Sequence, residues 1–95
     1  MEFKREDAAY VYRNDQGDKL AEITFTYPVD KDFVIADHTY VSDQLRGQGV
    51  AEQLLDHLVK EMTKEGKKIK AECSYVLSKF ENNPDKYGSV NADNT

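Results

Sequence analysis

The stretch SDQLRGQGVAEQLL, residues 42–55, sets two glycines, Gly47 and Gly49, one residue apart just ahead of a helical pattern. From Ala51, the apolar residues Leu54, Leu55, Leu58, Val59 and Met62 follow at three, four, seven, eight and eleven positions, one stripe of an amphipathic α-helix. Upstream, FVIADHTYV (Phe33–Val41) reads as a strand. The glycines therefore sit in a strand-to-helix loop. The start of a helix has N–H groups without partners and the positive end of the helix dipole, so it can hold an anion. Glycine lets the backbone approach such an anion with no Cβ in the way. Its other use is a tight turn in which glycine only relieves strain, and spacing alone leaves both readings open.

Outward from the loop, AAYVYRNDQGDKLAEITFTYP (residues 8–28) reads as a hairpin whose turn is NDQGD. In its second run Ala21, Ile23, Phe25 and Tyr27 alternate with Glu22, Thr24 and Thr26, a half-buried strand that Pro28 ends. After the long helix, Gly66 stands as the C′ residue. KKIKAEC (residues 67–73) is a short strand with Ile69, Ala71 and Cys73 on one face. YVLSKFENNP (residues 75–84) is a second, shorter helix stopped by Asn82, Asn83 and Pro84. The expected class is α/β, in the order β-β-β-α-β-α. The strands flanking the long helix should be parallel, joined by a right-handed crossover within a mixed sheet. Residues 1–88 form one domain, and the polar residues 89–95 read as a disordered tail.

Composition narrows the function. The chain has 95 residues, 39% hydrophobic and 33% charged, which suits one small globular domain. No apolar run approaches the roughly 18 residues of a membrane span. The start, MEFKREDAAY, has no apolar signal core. One cysteine excludes an internal disulfide, and the expected setting is reducing and cytoplasmic. The net charge of −5 disfavours nucleic acid. That charge lies wholly in residues 1–43, with 5 Lys/Arg against 10 Asp/Glu, whereas residues 44–95 balance at 8 against 8. The half containing the glycine pair is the one that better tolerates an anion. Two His and one Cys without ligand spacing give no metal site.

No Gly-Lys-Ser/Thr follows the loop, so it is not a Walker A sequence. A dinucleotide fingerprint would need Gly or Ala at position 52, which is Glu52. QLRGQG (residues 44–49) does match Gln/Arg-x-x-Gly-x-Gly/Ala, and it resembles the acyl-CoA pyrophosphate loop of the GNAT N-acetyltransferase superfamily. HTYV (residues 38–41), RGQGVA (46–51), CSY (73–75) and NNPDKY (82–87) together resemble a small single-domain subfamily of GNAT-like proteins. The resemblance covers about residues 33–87.

The resemblance implies a minimal GNAT-like fold that binds acetyl-CoA as co-substrate and transfers acetyl to an amine, either a small molecule or a protein lysine or N-terminus. In that fold the two strands flanking the helix splay apart. The backbone of Thr39, Tyr40 and Val41 would then pair with the pantetheine arm. The amides of Arg46, Gly47, Gln48, Gly49, Val50 and Ala51 would hold the pyrophosphate, with the Arg46 guanidinium adding a charge-assisted bond. Larger members carry Asn where Cys73 stands and, seven residues on, a Tyr that protonates the leaving thiolate; here that position is Phe80, which has no proton to donate. Tyr75 or another group would then have to supply the proton. Cys73 is either a core residue or a thiol that takes the acyl group before passing it on. His38 is either an ordinary strand histidine or a general base, and alternation puts it on one face with Tyr40, opposite Asp37, Thr39 and Val41. His57 falls off the apolar stripe and reads as solvent-exposed. The chain is expected to act as a monomer. Two rivals to a transferase remain: a CoA-binding sensor or interaction module with little activity, and a structural domain whose glycines only turn the chain.

Overall fold

The computed structural model describes residues 1–93. Its strands are β1 (Lys4–Arg5), β2 (Ala9–Arg13), β3 (Lys19–Thr26), β4 (Phe33–Val41) and β5 (Lys68–Ala71). They form one sheet in the order β1-β2-β3-β4-β5. The first three pairings are antiparallel and β4–β5 is parallel, as a helix crossover requires. The helices are α1 (Val50–Lys64), α2 (Ser74–Asn82) and α3 (Pro84–Tyr87), and a 3-10 turn at Asp43–Leu45 precedes the glycine loop. The α/β class and mixed sheet agree with the sequence reading. The two-residue β1, the 3-10 turn and α3 are additions too short to leave a period in the sequence.

The local chemistry matches the expected turns. In the β2–β3 turn the Asn14 side chain accepts from the amides of Gln16 and Asp18 at 3.0 and 2.9 Å. The α1 C-terminus is a Schellman motif: Gly66 has φ of +73°, its amide donates to Thr63, and the Lys67 amide donates to Met62.

The core lies between one sheet face and the helices. Tyr10, Ala21, Ile23, Phe25, Val34 and Ala36 meet Val50, Leu54, Leu55, Leu58 and Met62 of α1, with Val76 and Phe80 of α2 closing the end near β5. His57 belongs to its margin. The ring is half-buried, edge-on to Tyr10 at 4.6 Å and to Phe3 at 5.6 Å, and burial lowers its pKa. The sequence expectation of an exposed His57 is therefore corrected. Phe3, just before β1, lies across this side of α1, which a helical wheel alone does not reveal.

The tail expectation also changes over residues 89–93. Val90 is buried, the Ile69 amide donates to the Val90 carbonyl, and the Ala92 amide donates back to Ile69. This segment therefore runs beside β5 as a packed edge, with Asn91 in a parallel bridge to Ile69. Residues 94 and 95, also assigned to the tail, lie outside the described residues.

Two changes test this packing. Leu58 is fully buried, so Leu58→Ala should cost about 2–5 kcal/mol. Thermal unfolding should then shift down by roughly 10 °C or more. Tyr87 is buried and bonded to Asp56 at 2.8 Å, and burial followed by that bond raises its pKa from 10.0 to about 12. The folded chain thus keeps the phenol proton where the unfolded chain has lost it. The stabilisation is complete below pH 10 and disappears as pH rises through about 12. Melting across that range should fall in the native chain and fall less in Tyr87→Phe.

Candidate active site

The site is built where β4 and β5 part. Their ladder runs from Phe33–Lys68 to Ala36–Ala71. There the amides of both Glu72 and Cys73 donate to one acceptor, the Ala36 carbonyl, at 2.9 and 3.0 Å. The chain then turns away into α2 with Cys73 as N-cap residue. β4 continues for residues 37–41, paired with β3 on one side and with no strand on the other among the described residues. Sequence reading ran β5 on to Cys73. The structure stops it at Ala71, so Cys73 is a helix-cap residue rather than a strand residue.

A bulge sets which β4 side chains face which way. Thr24 pairs with His38 but Phe25 pairs with Ala36, leaving Asp37 as the extra residue, with the Thr24 hydroxyl donating to its carboxylate. Without the bulge, Ala36, His38 and Tyr40 would share the core face. With it, Thr39 and Val41 stand beside Ile23 and Ala21 on the core face, while His38 and Tyr40 are exposed on the other. The expected grouping of His38 with Tyr40 holds. Its consequence is that His38 and Cys73 are not brought together: Cys73 Sγ instead donates to Thr39 Oγ1 at 3.5 Å.

The loop answers the question posed by the two glycines. Gly47 and Gly49 have φ of +81° and +70°, the left-handed region that costs an L residue roughly 1–2 kcal/mol. A Cβ on either would meet nothing within 4 Å. The glycines are thus required by backbone angle, while the space beyond them is open. Gly49 caps α1 with no side-chain bond to the first-turn amides. Ser42 caps the preceding 3-10 turn by accepting from the Gln44 amide, and Arg46 is exposed and paired with Asp43 at 2.6 Å.

A cleft of about 300 Å³ opens at this point. Val41, Arg46, Gly47, Gly49, Val50 and Ala51 line it, as the sequence reading expected of a ligand loop, and Tyr75 forms its far wall. Gln48, Thr39, Tyr40, His38 and Cys73 do not line it. Burial, followed by the nearby Glu52 and Asp56, pushes the Tyr75 phenol up, so it stays protonated and able to donate. Phe80 packs on Tyr87 at 5.3 Å inside the core and takes no part in the cleft.

Sequence reasoning missed Ser42, Leu45 and Glu52 on the cleft wall. Glu52 accepts from Lys86 and pairs with Lys79 at 3.3 and 3.4 Å, and these two cations, Lys86 first, hold its carboxyl below the usual range. Lys86 also bridges to Asp56 at 3.2 Å. These partners lie on α2 and α3, about thirty positions away in sequence, so no local spacing points to them.

Comparison with known proteins bears on the family and the fold. A family model described as GCN5-related N-acetyltransferase matches residues 9–90. Among solved structures, a GCN5-like protein of Staphylococcus aureus, proposed as an N-acetyltransferase, is 37% identical over 95% of this chain and 86% of its own, with a TM-score of 0.77. A ribosomal-protein-alanine N-acetyltransferase from Brucella melitensis biovar Abortus 2308 is 25% identical over 93% of this chain and 68% of its own, with a TM-score of 0.55. An acetyltransferase from Vibrio fischeri is 26% identical, covering 68% of this chain and 59% of its own, with a TM-score of 0.53. A search of the curated proteins finds no match. With a family model spanning most of its length and a close structural relative, the chain belongs to the GCN5-related N-acetyltransferases, a family of acyltransferases.

Proposed function

We propose that the chain binds acetyl-CoA between the glycine loop and the free edge of β4 and transfers the acetyl group to an amine. The observation that carries this reading is a juxtaposition. β4 residues 37–41 run past the end of β5, beside an α1 N-terminus that no side chain caps. An extended chain with amides can add to a free strand edge, and a diphosphate suits open amides at a helix start. Arg46 on the cleft wall, mostly exposed, can exchange Asp43 for phosphate.

The thioester supplies an activated acyl carbon. In direct transfer the amine nitrogen attacks that carbon, the C–S bond breaks, and the departing thiolate takes the Tyr75 proton. The amine gives its own proton to solvent. Tyr75 is suited to this by position, because it lines the cleft and a phenol is protonated at neutral pH; its raised pKa makes it a weak acid that donates only to a basic leaving group such as a thiolate. A second route is favoured by one observation: Cys73, the N-cap residue of α2, stands where β5 leaves the sheet, with its Sγ on Thr39 of the free β4 stretch. There Sγ would attack the thioester carbon, the C–S bond to CoA would break, and the thiol proton would pass to the departing CoA thiolate; the amine would then take the acyl group from the acetyl-cysteine, its proton returning to Sγ.

Thermal melting with acetyl-CoA tests the binding step. Ligand at about 100 times its dissociation constant adds about 2.7 kcal/mol. That should raise the midpoint by roughly 10 °C or more for a domain of this size. The rise should vanish in Gly49→Trp, whose side chain would enter the cleft from a left-handed position. No rise at millimolar acetyl-CoA in the native chain would defeat the proposal. Intact-mass analysis after acetyl-CoA treatment separates the two routes. A 42 Da adduct, about one acetyl group, that Cys73→Ser abolishes supports the cysteine route. Without an adduct, Tyr75→Phe should lower turnover by about 10²-fold, as expected for loss of a general acid.

A further inference from the structure

Glu52 poses an electrostatic problem for an anion site. It is the acidic residue in the first turn of α1, at the third helical position, and its side chain forms part of the cleft wall. A carboxylate there is drawn to the helix dipole, and from the third position it can reach back to the amide of the cap residue. Either arrangement would set a negative charge where a diphosphate is to bind. The structure shows neither. Gly49 and the first-turn amides carry no side-chain cap, and Glu52 instead pairs with Lys79 of α2 at 3.4 Å and Lys86 of α3 at 3.3 Å. Lys86 is itself anchored by Asp56, one turn further along α1, at 3.2 Å. Asp56 in turn accepts from the buried Tyr87 hydroxyl at 2.8 Å. Two carboxylates and two ammonium groups balance within this cluster.

We propose that Lys79 and Lys86 are positioning residues of the acetyl-CoA site, holding the Glu52 carboxylate off the α1 N-terminus so that its amides stay open to the diphosphate. This rests on the reading of that N-terminus as the diphosphate site. The lysines act through Glu52 and not by touching the ligand. Their removal releases a carboxylate that both caps the helix start and repels the incoming anion. Glutamine at position 52 removes the competitor, so it matters only when the lysines are absent.

The test is a double-mutant cycle on the full chain, with acetyl-CoA affinity measured calorimetrically at fixed low salt. Lys79→Gln/Lys86→Gln should weaken binding by about tenfold, the scale of one released carboxylate brought beside a dianion. Adding Glu52→Gln to that pair should restore most of the affinity. In the native background Glu52→Gln should change affinity by a clearly smaller factor, and Lys79→Arg/Lys86→Arg should bind nearly as the native chain does. That non-additivity is what a merely structural role, or plain long-range charge, would not produce. Equal factors for Glu52→Gln in both backgrounds would overturn the proposal in favour of long-range charge. Failure of Glu52→Gln to rescue would overturn it in favour of direct lysine–ligand contact or lost folding, which ligand-free melting curves separate. Should the double variant be unfolded at the assay temperature, Lys86→Gln alone carries the same cycle. A native chain that does not bind acetyl-CoA would overturn the function reading itself. A native chain that binds, with an additive cycle, overturns only the role given to the lysines.

Discussion

One carbonyl oxygen ends the parallel ladder. Ala36 accepts from two successive amides, Glu72 and Cys73, which β5 could not both offer if it stayed straight. The second bond draws the chain off the sheet and into α2, and everything beyond Ala36 on β4 loses its neighbour on that side. The bulge at Asp37 falls at the same level and reverses the phase of the strand. Together the fork and the bulge turn Thr39 and Val41 toward the helices and bring Thr39 to Cys73. The site is thus a consequence of how one strand stops and its neighbour continues.

The glycine loop depends on the same geometry. Because β4 ends at Val41 beside the start of α1, the connection must climb from the strand and reverse within eight residues. It does so with a 3-10 turn and two residues at positive φ. Of the two uses of glycine weighed from the sequence, the structure shows the turn: the backbone angles demand glycine, and a Cβ there would meet only open space.

Much of the fold was legible because it rests on short-range periodicity. The α1 stripe, the β3 alternation and the Gly66 cap are set by residues within a few positions of one another; the cap appears as read, while β3 stops at Thr26 and leaves Tyr27 exposed, and α1 buries Val50 more fully than Ala51 or Val59. The loop from Arg46 to Ala51 was singled out by its resemblance to a family motif rather than by periodicity, and all of it but Gln48 lines the cleft. What was not legible depends on register and on distant partners. His57 is covered by Phe3, just before β1, and by Tyr10 of β2, residues far from it in sequence. The orientation of His38 turns on a bulge that no residue type announces. β5 stops two residues early because of a carbonyl on another strand, and the tail packs because Val90 finds room beside Ile69.

The short ends of the sheet have a further meaning. A free strand edge is a template for another chain, and proteins with long bare edges aggregate through them. Here the outermost strand on one side has only two residues, Lys4 and Arg5, both charged. On the other side, the segment around Asn91 lies against Ile69 and occupies the bonds that β5 would otherwise present. The chain has thus blunted both outer borders of its sheet while leaving an inner stretch of β4 bare. Backbone pairing that would be a hazard at a border is confined to the five residues 37–41, inside the sheet rather than at its rim.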